Sequence, residues 1–352
     1  MRLGVVGTGY WGSNHARVAA ELRTEGVVEE VLLCDADEDQ VDELASRHGV
    51  PYVTDHTELA AAVDAAVVAT PSPTHRPVAT DLLRTGVDVL VEKPLALSSE
   101  DAWAIVDTAA SHGRTLGTGH IFRYHPALAD LKRRLDRGEL GDIKHLTTSR
   151  FSFREPRTTA GALYSLAVHD VDVYTYLLGS RPDRVYCTLE KTVVDGIDET
   201  ASLTLSYGET NGVIDVSWHV PAFGKRRDLV VAGSEATAYV DYLEDTVVEI
   251  HDSSMVREDG HVQAREGETR THELPEREPL RIEVEDFLAA CRSETRPRAS
   301  GHVGAAAVEL LEAAERSAET GRAVSLGLDA GFSVRDGVVE RLAEDVRSPT
   351  DD

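Results

Sequence analysis

Apolar and polar positions follow two different rhythms along this chain, and the change comes near residue 120. Residues 2–9, RLGVVGTG, make a short apolar run that ends in glycines, and YWGSNHARVAAEL follows with Trp11, Ala16, Ala19 and Ala20 at helical spacing. The pair then repeats. EVLLCDAD ends a second apolar run at Asp35; PYV near 51 precedes a helix around 57–62; AAVVATP occupies 65–71 before a helix from His75 to Gly86; DVLVEKP occupies 88–94 before a helix from Ser99 to Gly113; TLGTGHIF closes the series. Strands alternating with amphipathic helices predict a doubly wound parallel sheet. Ligands of such sheets lie beyond the carboxyl ends of the strands, where Asp35, Thr70-Pro71-Ser72 and Glu92-Lys93-Pro94 all fall.

Beyond residue 123 a period of two takes over. ASLTLSYGETNGVIDVSW alternates apolar and polar residues on either side of Asn211-Gly212 and predicts a hairpin turning there. DLVVAGSEATAYVDY and TVVEIHD read as further strands. GALYSLAVHDVDVYTYLLG (161–179), about Leu280 to Cys291, and SGHVGAAAVELLEAAERSAETGRAV read as helices, and the last 25 residues as a short helix with a loose acidic end.

Chemistry enters at the first turn. Gly7-Thr8-Gly9-Tyr10-Trp11-Gly12 is a GxGxxG placed between a strand and a helix, the context in which the motif binds a dinucleotide. Gly7 permits the tight turn, Gly9 lets a pyrophosphate approach the backbone, Gly12 lets helix and strand pack closely, and the helix N-terminus supplies N–H groups. Asp35, 23 residues after Gly12, stands where a carboxylate meets the adenosine ribose. No Arg follows it and Asp37 adds negative charge, so NAD is expected in preference to NADP. Lys93 ends a core strand, which delivers its side chain into the same crevice.

Charge narrows the partners. The 352 residues carry 62 Asp+Glu against 36 Lys+Arg, a formal net charge of -26, which repels nucleic acid and anionic membrane. Lysine occurs only at 93, 132, 144, 191 and 225. A dense acidic shell poor in lysine suits a salt-rich cytoplasm, where the Debye length shrinks to about 3 Å at 1 M. Cys34, Cys187 and Cys291 lie too far apart in sequence for a disulfide framework or zinc site. The start resembles no signal peptide, and no apolar run approaches the roughly 20 residues of a membrane helix. A soluble cytoplasmic protein is expected.

With the GxGxxG, ATPSPTH (69–75) and VEKPLAL (91–97) in order, the chain resembles the Gfo/Idh/MocA oxidoreductases, the glucose-fructose oxidoreductase and inositol dehydrogenase family, to about residue 327. The resemblance implies an α/β chain of three parts. Residues 1–122 would form an NAD-binding Rossmann domain and 123–327 a substrate-binding and oligomerisation domain with an open, mainly antiparallel sheet, followed by an acidic tail at 328–352. It implies a homodimer or homotetramer built on that sheet, with the alternating strands after 200 leaving an apolar face to cover. It also implies oxidation or reduction of a sugar or cyclitol hydroxyl, with Lys93 beside the nicotinamide and Thr8, Tyr10, Trp11, Thr70, Pro71, Ser72, His75 and Glu92 along the cofactor.

In the family's helix an Asp and a His four positions later face the substrate. His169 falls on the histidine and is expected as general base with a pKa near working pH; the Asp position is Ser165, which leaves Asp170, Asp172 or nothing to supply the charge, Asp172 being preferred by helical spacing. HIFRYHPAL (120–128) matches the segment that sends an aromatic-Arg-aromatic run into the pocket, making Arg123, Tyr124 and His125 candidate substrate contacts. The wording of these stretches is most similar to the branch acting on nucleotide-linked amino sugars, of the UDP-N-acetylglucosamine 3-dehydrogenase type. A diphosphate substrate would draw on Arg150, Arg154 and Arg157. An inositol or free-sugar dehydrogenase, and a catalytically silent NAD-binding sensor or scaffold, remain the alternatives.

Overall fold

The computed structural model describes residues 1–155, 160–222, 224–244, 246–326, 332–335 and 338–341. The N-terminal elements are β1 (Arg2–Val6), α1 (Tyr10–Thr24), β2 (Glu30–Cys34), α2 (Glu38–His48), β3 (Tyr52–Val53), α3 (His56–Ala60), β4 (Ala65–Val68), α4 (His75–Arg84), β5 (Asp88–Val91), α5 (Ser99–Ser111) and β6 (Leu116–Thr118). All pairings among these strands are parallel, in the order β3-β2-β1-β4-β5-β6, as a doubly wound nucleotide-binding sheet requires. Every residue of β4 and β5 is buried, which is why AAVV and, after Asp88, VLV are continuous apolar runs rather than alternating ones. β5 ends at Val91, so Glu92, Lys93 and Pro94 lie in the loop just past the sheet, with the Lys93-Pro94 peptide cis.

The chain then runs through α6 (Pro126–Asp136), β7 (Ile143–Phe151) and one turn of π-helix (Leu163–Ala167) that leads into α7 (Val168–Leu178). There follow β8 (Arg184–Glu190), β9 (Thr200–Tyr207), β10 (Thr210–Ser217), β11 (Arg226–Gly233), β12 (Thr237–Asp241), β13 (Val247–His251), β14 (Ser254–Glu258), β15 (His261–Arg265), β16 (Thr269–Glu273), α8 (Pro279–Ser293), α9 (Gly301–Thr320) and β17 (Val324–Ser325). Nine strands form the second sheet in the order β16-β13-β12-β11-β7-β10-β9-β8-β17; only the β7–β10 pair is parallel among those described. Helices α6, α7 and α9 pack on one face of it, while α8 turns to the first sheet. Leu280, Val284, Phe287 and Leu288 of α8 join Leu3, Val5, Leu22 and Leu90 in one buried cluster.

Three expectations change. The hairpin turns at Gly208-Glu209, with Thr210 opposite Tyr207, and Asn211-Gly212 lies inside β10. The glycine at 212 serves packing instead of a turn: a Cβ there would stand 2.6 Å from the ring of Tyr174 on α7. In the tail, Phe332–Arg335 pairs antiparallel with Val338–Arg341 where a short helix was expected, in keeping with the strand preference of Val334, Val338 and Val339; the remainder of that segment lies outside the described residues. The open face of the second sheet is not apolar. Its outward positions include a cross-strand row of Ser202, Asp215, Ser149, Asp228 and Asp241 beside a row of Thr204, Val213, Thr147, Val230 and Tyr239.

Candidate active site

The glycine turn is shaped by contacts that exclude side chains. Gly7 has φ +90°, and a Cβ on Gly12 would lie 1.8 Å from the Gly7 carbonyl oxygen, so the strand-to-helix corner closes only with glycine at both places. At Gly9 a Cβ would meet nothing within 4 Å: backbone there faces open space, the room a diphosphate needs. Asp35 accepts from the Thr8 N–H at 2.6 Å and hydroxyl at 2.8 Å, from Asp37 N–H and from the Gln40 amide. Partial burial works against its charge, but these donors outweigh it and hold the carboxyl below its usual range. An ionised, braced carboxylate thus stands at the end of β2, and these residues fit NAD.

At the end of β4, Thr70 and Ser72 are half-buried and Pro71 is exposed, whereas His75 is buried with its ring nitrogens each 2.9 Å from a carbonyl, Pro94 and Thr70. The ring ties the ends of β4 and β5 together behind the crevice, and burial lowers its pKa. Glu92 is also turned inward. It pairs with buried His15 at 2.9 Å and accepts the Lys93 N–H, and although burial opposes its charge, His15 and Lys93 hold it ionised. The Lys93 side chain runs forward into the cleft, where its ammonium donates to the Ser165 carbonyl at 3.2 Å.

Lys93, Ser165 and His169 line one cleft of about 830 Å³ between the two sheets, which Tyr10, Trp11 and Asn14 at the start of α1 also reach. The size suits a small-molecule site. His169 follows the π turn, a device frequent at functional sites because it re-aims side chains within a helix. Its ring is edge-on to Phe122 at 5.0 Å, and its Nδ1 has no hydrogen-bond partner among the described residues. Burial first, and the charges of Lys93 and Arg150 next, push its pKa well below the ordinary imidazole value. The expectation of a pKa near working pH therefore fails: in this surrounding the ring is a neutral acceptor throughout the neutral range.

The substrate-side candidates separate. His125 and Arg154 line the cleft, the latter over the Trp218 ring at 5.1 Å. Arg123, Tyr124 and Asp172 do not. The 3-10 turn at Ile121–Tyr124 points Phe122 into the cleft and Arg123 and Tyr124 away from it. Arg123 is locked to Asp172 at 2.7 Å with both side chains almost wholly buried, and the Tyr124 hydroxyl donates to Asp286 at 2.8 Å. Asp172 is thus held in the joint under the site, and the acid next to the cleft is Asp170, which grips Arg150 through two bonds of 2.9 and 2.7 Å. Arg157 lies outside the described residues. Sequence reasoning missed Phe122, Lys225, Arg227 and Tyr242, all of which line the cleft. The signal for two of them was present: Lys225-Arg226-Arg227 is a basic run opening a strand on a strongly acidic chain.

Residues 1–120 match the model of the oxidoreductase family with an NAD-binding Rossmann fold (GFO_IDH_MocA), and 128–239 match the GFO/IDH/MocA C-terminal domain. The UDP-N-acetylglucosamine 3-dehydrogenase of Acidithiobacillus ferrooxidans is 30% identical over 294 residues, covering 82% of this chain and 88% of that one. The inositol 2-dehydrogenase of Rhizobium meliloti is 26% identical over 348 residues, covering 93% and 99%. Among solved structures, the Acidithiobacillus enzyme superposes with a TM-score of 0.78 at 25% identity over 91% of this chain and 98% of that one. A levoglucosan dehydrogenase in complex with NADH and levoglucosan gives 0.82 at 18% identity over 93% and 99%, a likeness of fold.

Proposed function

Because the chain belongs to the Gfo/Idh/MocA oxidoreductase family, whose N-terminal domain binds NAD, we propose that it oxidises a secondary hydroxyl of a sugar or nucleotide sugar. The observation that carries this reading is the Lys93 ammonium, fixed by the Ser165 carbonyl, in the same cleft as the neutral His169 ring. NAD, when bound, supplies the hydride acceptor. Lys93 stabilises the negative charge that develops on the substrate oxygen as its C–H bond breaks, and His169 takes the hydroxyl proton on a ring nitrogen. Ser165 contributes through its backbone, because its hydroxyl donates to the Ala160 carbonyl. The reading is tested by following NADH absorbance over a panel of nucleotide sugars, free sugars and cyclitols. Turnover on nucleotide sugars is expected; tight NAD binding with no turnover on any of them would favour the silent sensor instead.

NAD is expected to bind more tightly than NADP, since the braced Asp35 carboxylate repels a 2'-phosphate. Calorimetry on wild type and Asp35→Ser checks it: the variant should lose NAD affinity and gain on NADP, and equal affinities in wild type would remove Asp35 from the ribose. Among the described residues no helix is long and apolar enough to cross a membrane. A cytoplasmic homo-oligomer assembled on the open sheet face, in a salt-rich interior, is part of the same proposal. Asp215 and Asp241 lie in one row of that face, with Asp228 between them paired to Arg226, so two copies repel there at low ionic strength. Light scattering should find larger assemblies in molar salt; a monomer at both salt concentrations contradicts this.

A further inference from the structure

The formal charge of the chain is -26, yet the described residues lining the cleft include five cations, Lys93, Arg150, Arg154, Lys225 and Arg227, and one carboxylate, Glu278, already paired with Arg17. Four of the cations come from the second sheet or the loops continuing it. Arg150 near the end of β7 and Arg227 at the start of β11 are direct cross-strand partners, an arrangement in which like charges destabilise a sheet. Asp170 neutralises Arg150 from behind. Arg227 and Lys225 have no carboxylate partner among the described residues. Burial, then the Arg150 charge, brings Arg227 down to about 10, and Lys225 is lowered first by the charge of Arg227.

Resting on the dehydrogenase reading and naming its substrate class, we propose that Arg150, Arg154, Lys225 and Arg227 form a preformed subsite for a phosphoryl group carried by the sugar substrate. Repulsion among fixed cations is relieved when an oxyanion sits between them, and guanidinium groups match phosphoryl oxygens in geometry. A neutral sugar gives no such relief. The cofactor's own diphosphate has another seat, at the open backbone of Gly9 and the first turn of α1. The phosphoryl group can belong to a sugar phosphate or to the diphosphate of a nucleotide sugar, and both present the same oxygens.

Inorganic pyrophosphate is the probe, titrated calorimetrically into the full chain saturated with NADH so that the glycine turn is already filled. Binding is expected, weakened about tenfold by Arg227→Gln and about a hundredfold by Arg227→Gln with Lys225→Met, at one charge-assisted contact per tenfold. The ligand-free Arg227→Gln protein should melt no lower than wild type, which separates lost binding from lost folding. In turnover, the variants should lower kcat/KM on phosphorylated sugars by the same factors and change it by a clearly smaller factor on neutral sugars; sugar phosphate against nucleotide sugar as the better substrate identifies the source. Pyrophosphate that binds only without NADH, or equally well to wild type and both variants, overturns the subsite. Absence of hydride transfer from every sugar, with pyrophosphate binding intact, would instead defeat the dehydrogenase reading.

Discussion

Lys93→Met is expected to lower kcat by about 10²- to 10⁴-fold, roughly 3 to 5 kcal/mol of barrier, while NAD still binds. The ammonium is held by the Ser165 carbonyl while the Lys93 backbone N–H donates to the inward-turned Glu92, so its position is set before substrate arrives. Methionine keeps the length and removes the charge. His169→Ala should fall by a similar factor, because its buried ring shares the cleft with Lys93 and its Nδ1 has no hydrogen-bond partner among the described residues. Ser165→Ala should cost about one ordinary hydrogen bond, roughly 1 kcal/mol, since the backbone carbonyl that holds Lys93 survives the change. The low pKa of His169 also sets the sign of the pH dependence. The ring is already deprotonated at neutrality, so the acid limb of kcat/KM should lie below the ordinary imidazole value of about 6.5 and the rate stay level above it. Kinetics of the three variants on a substrate the wild type turns over decide the matter; near-normal turnover by Lys93→Met would sink the mechanism.

Asp170→Ala is expected to destabilise the fold by about 3 to 5 kcal/mol. The side chains of Asp170 and Arg150 are 0% and 2% exposed, and two short bonds join them. Truncating the acid leaves a guanidinium buried against the Phe122 and Tyr242 rings with nothing to balance it. Denaturant unfolding measures the loss, and the double variant Asp170→Leu with Arg150→Met should recover most of it, because the burial cost of the charge goes with the charge. A loss below about 1 kcal/mol in Asp170→Ala would mean that Arg150 escapes to solvent when released.

The readable part of this molecule was the part dictated by local patterns. Continuous apolar runs capped by glycine or by Asp35 and Lys93 marked β1, β2 and β5, because a parallel strand buried on both faces leaves little else to choose. The glycine turn was legible for the same reason: Gly7 and Gly12 are required by backbone contacts within the turn itself. What depended on distant partners was not legible. Nothing near Asp172 in sequence reveals that Arg123 waits for it 49 residues earlier, and helical spacing alone favoured it over Asp170. Asn211-Gly212 carried a strong turn signal that Tyr174, on another element, overrides. Lys225 and Arg227 stood in plain view as a basic run, but their place opposite Arg150 follows from strand register, which the sequence pattern does not specify.

Helix α8 contributes Leu280, Val284, Phe287, Leu288 and Cys291 to a cluster whose other buried members come from the first hundred residues. During synthesis that core stands open until residue 293 has left the ribosome. Between the end of β6 at Thr118 and the start of α8 at Pro279 lie about 160 residues, or on the order of 10 to 30 s at the usual translation rate of roughly 5 to 20 residues per second. For that interval the nascent nucleotide-binding half carries an unfilled apolar groove, a natural target for holdase chaperones. An excised 1–122 fragment would keep that groove for good and aggregate.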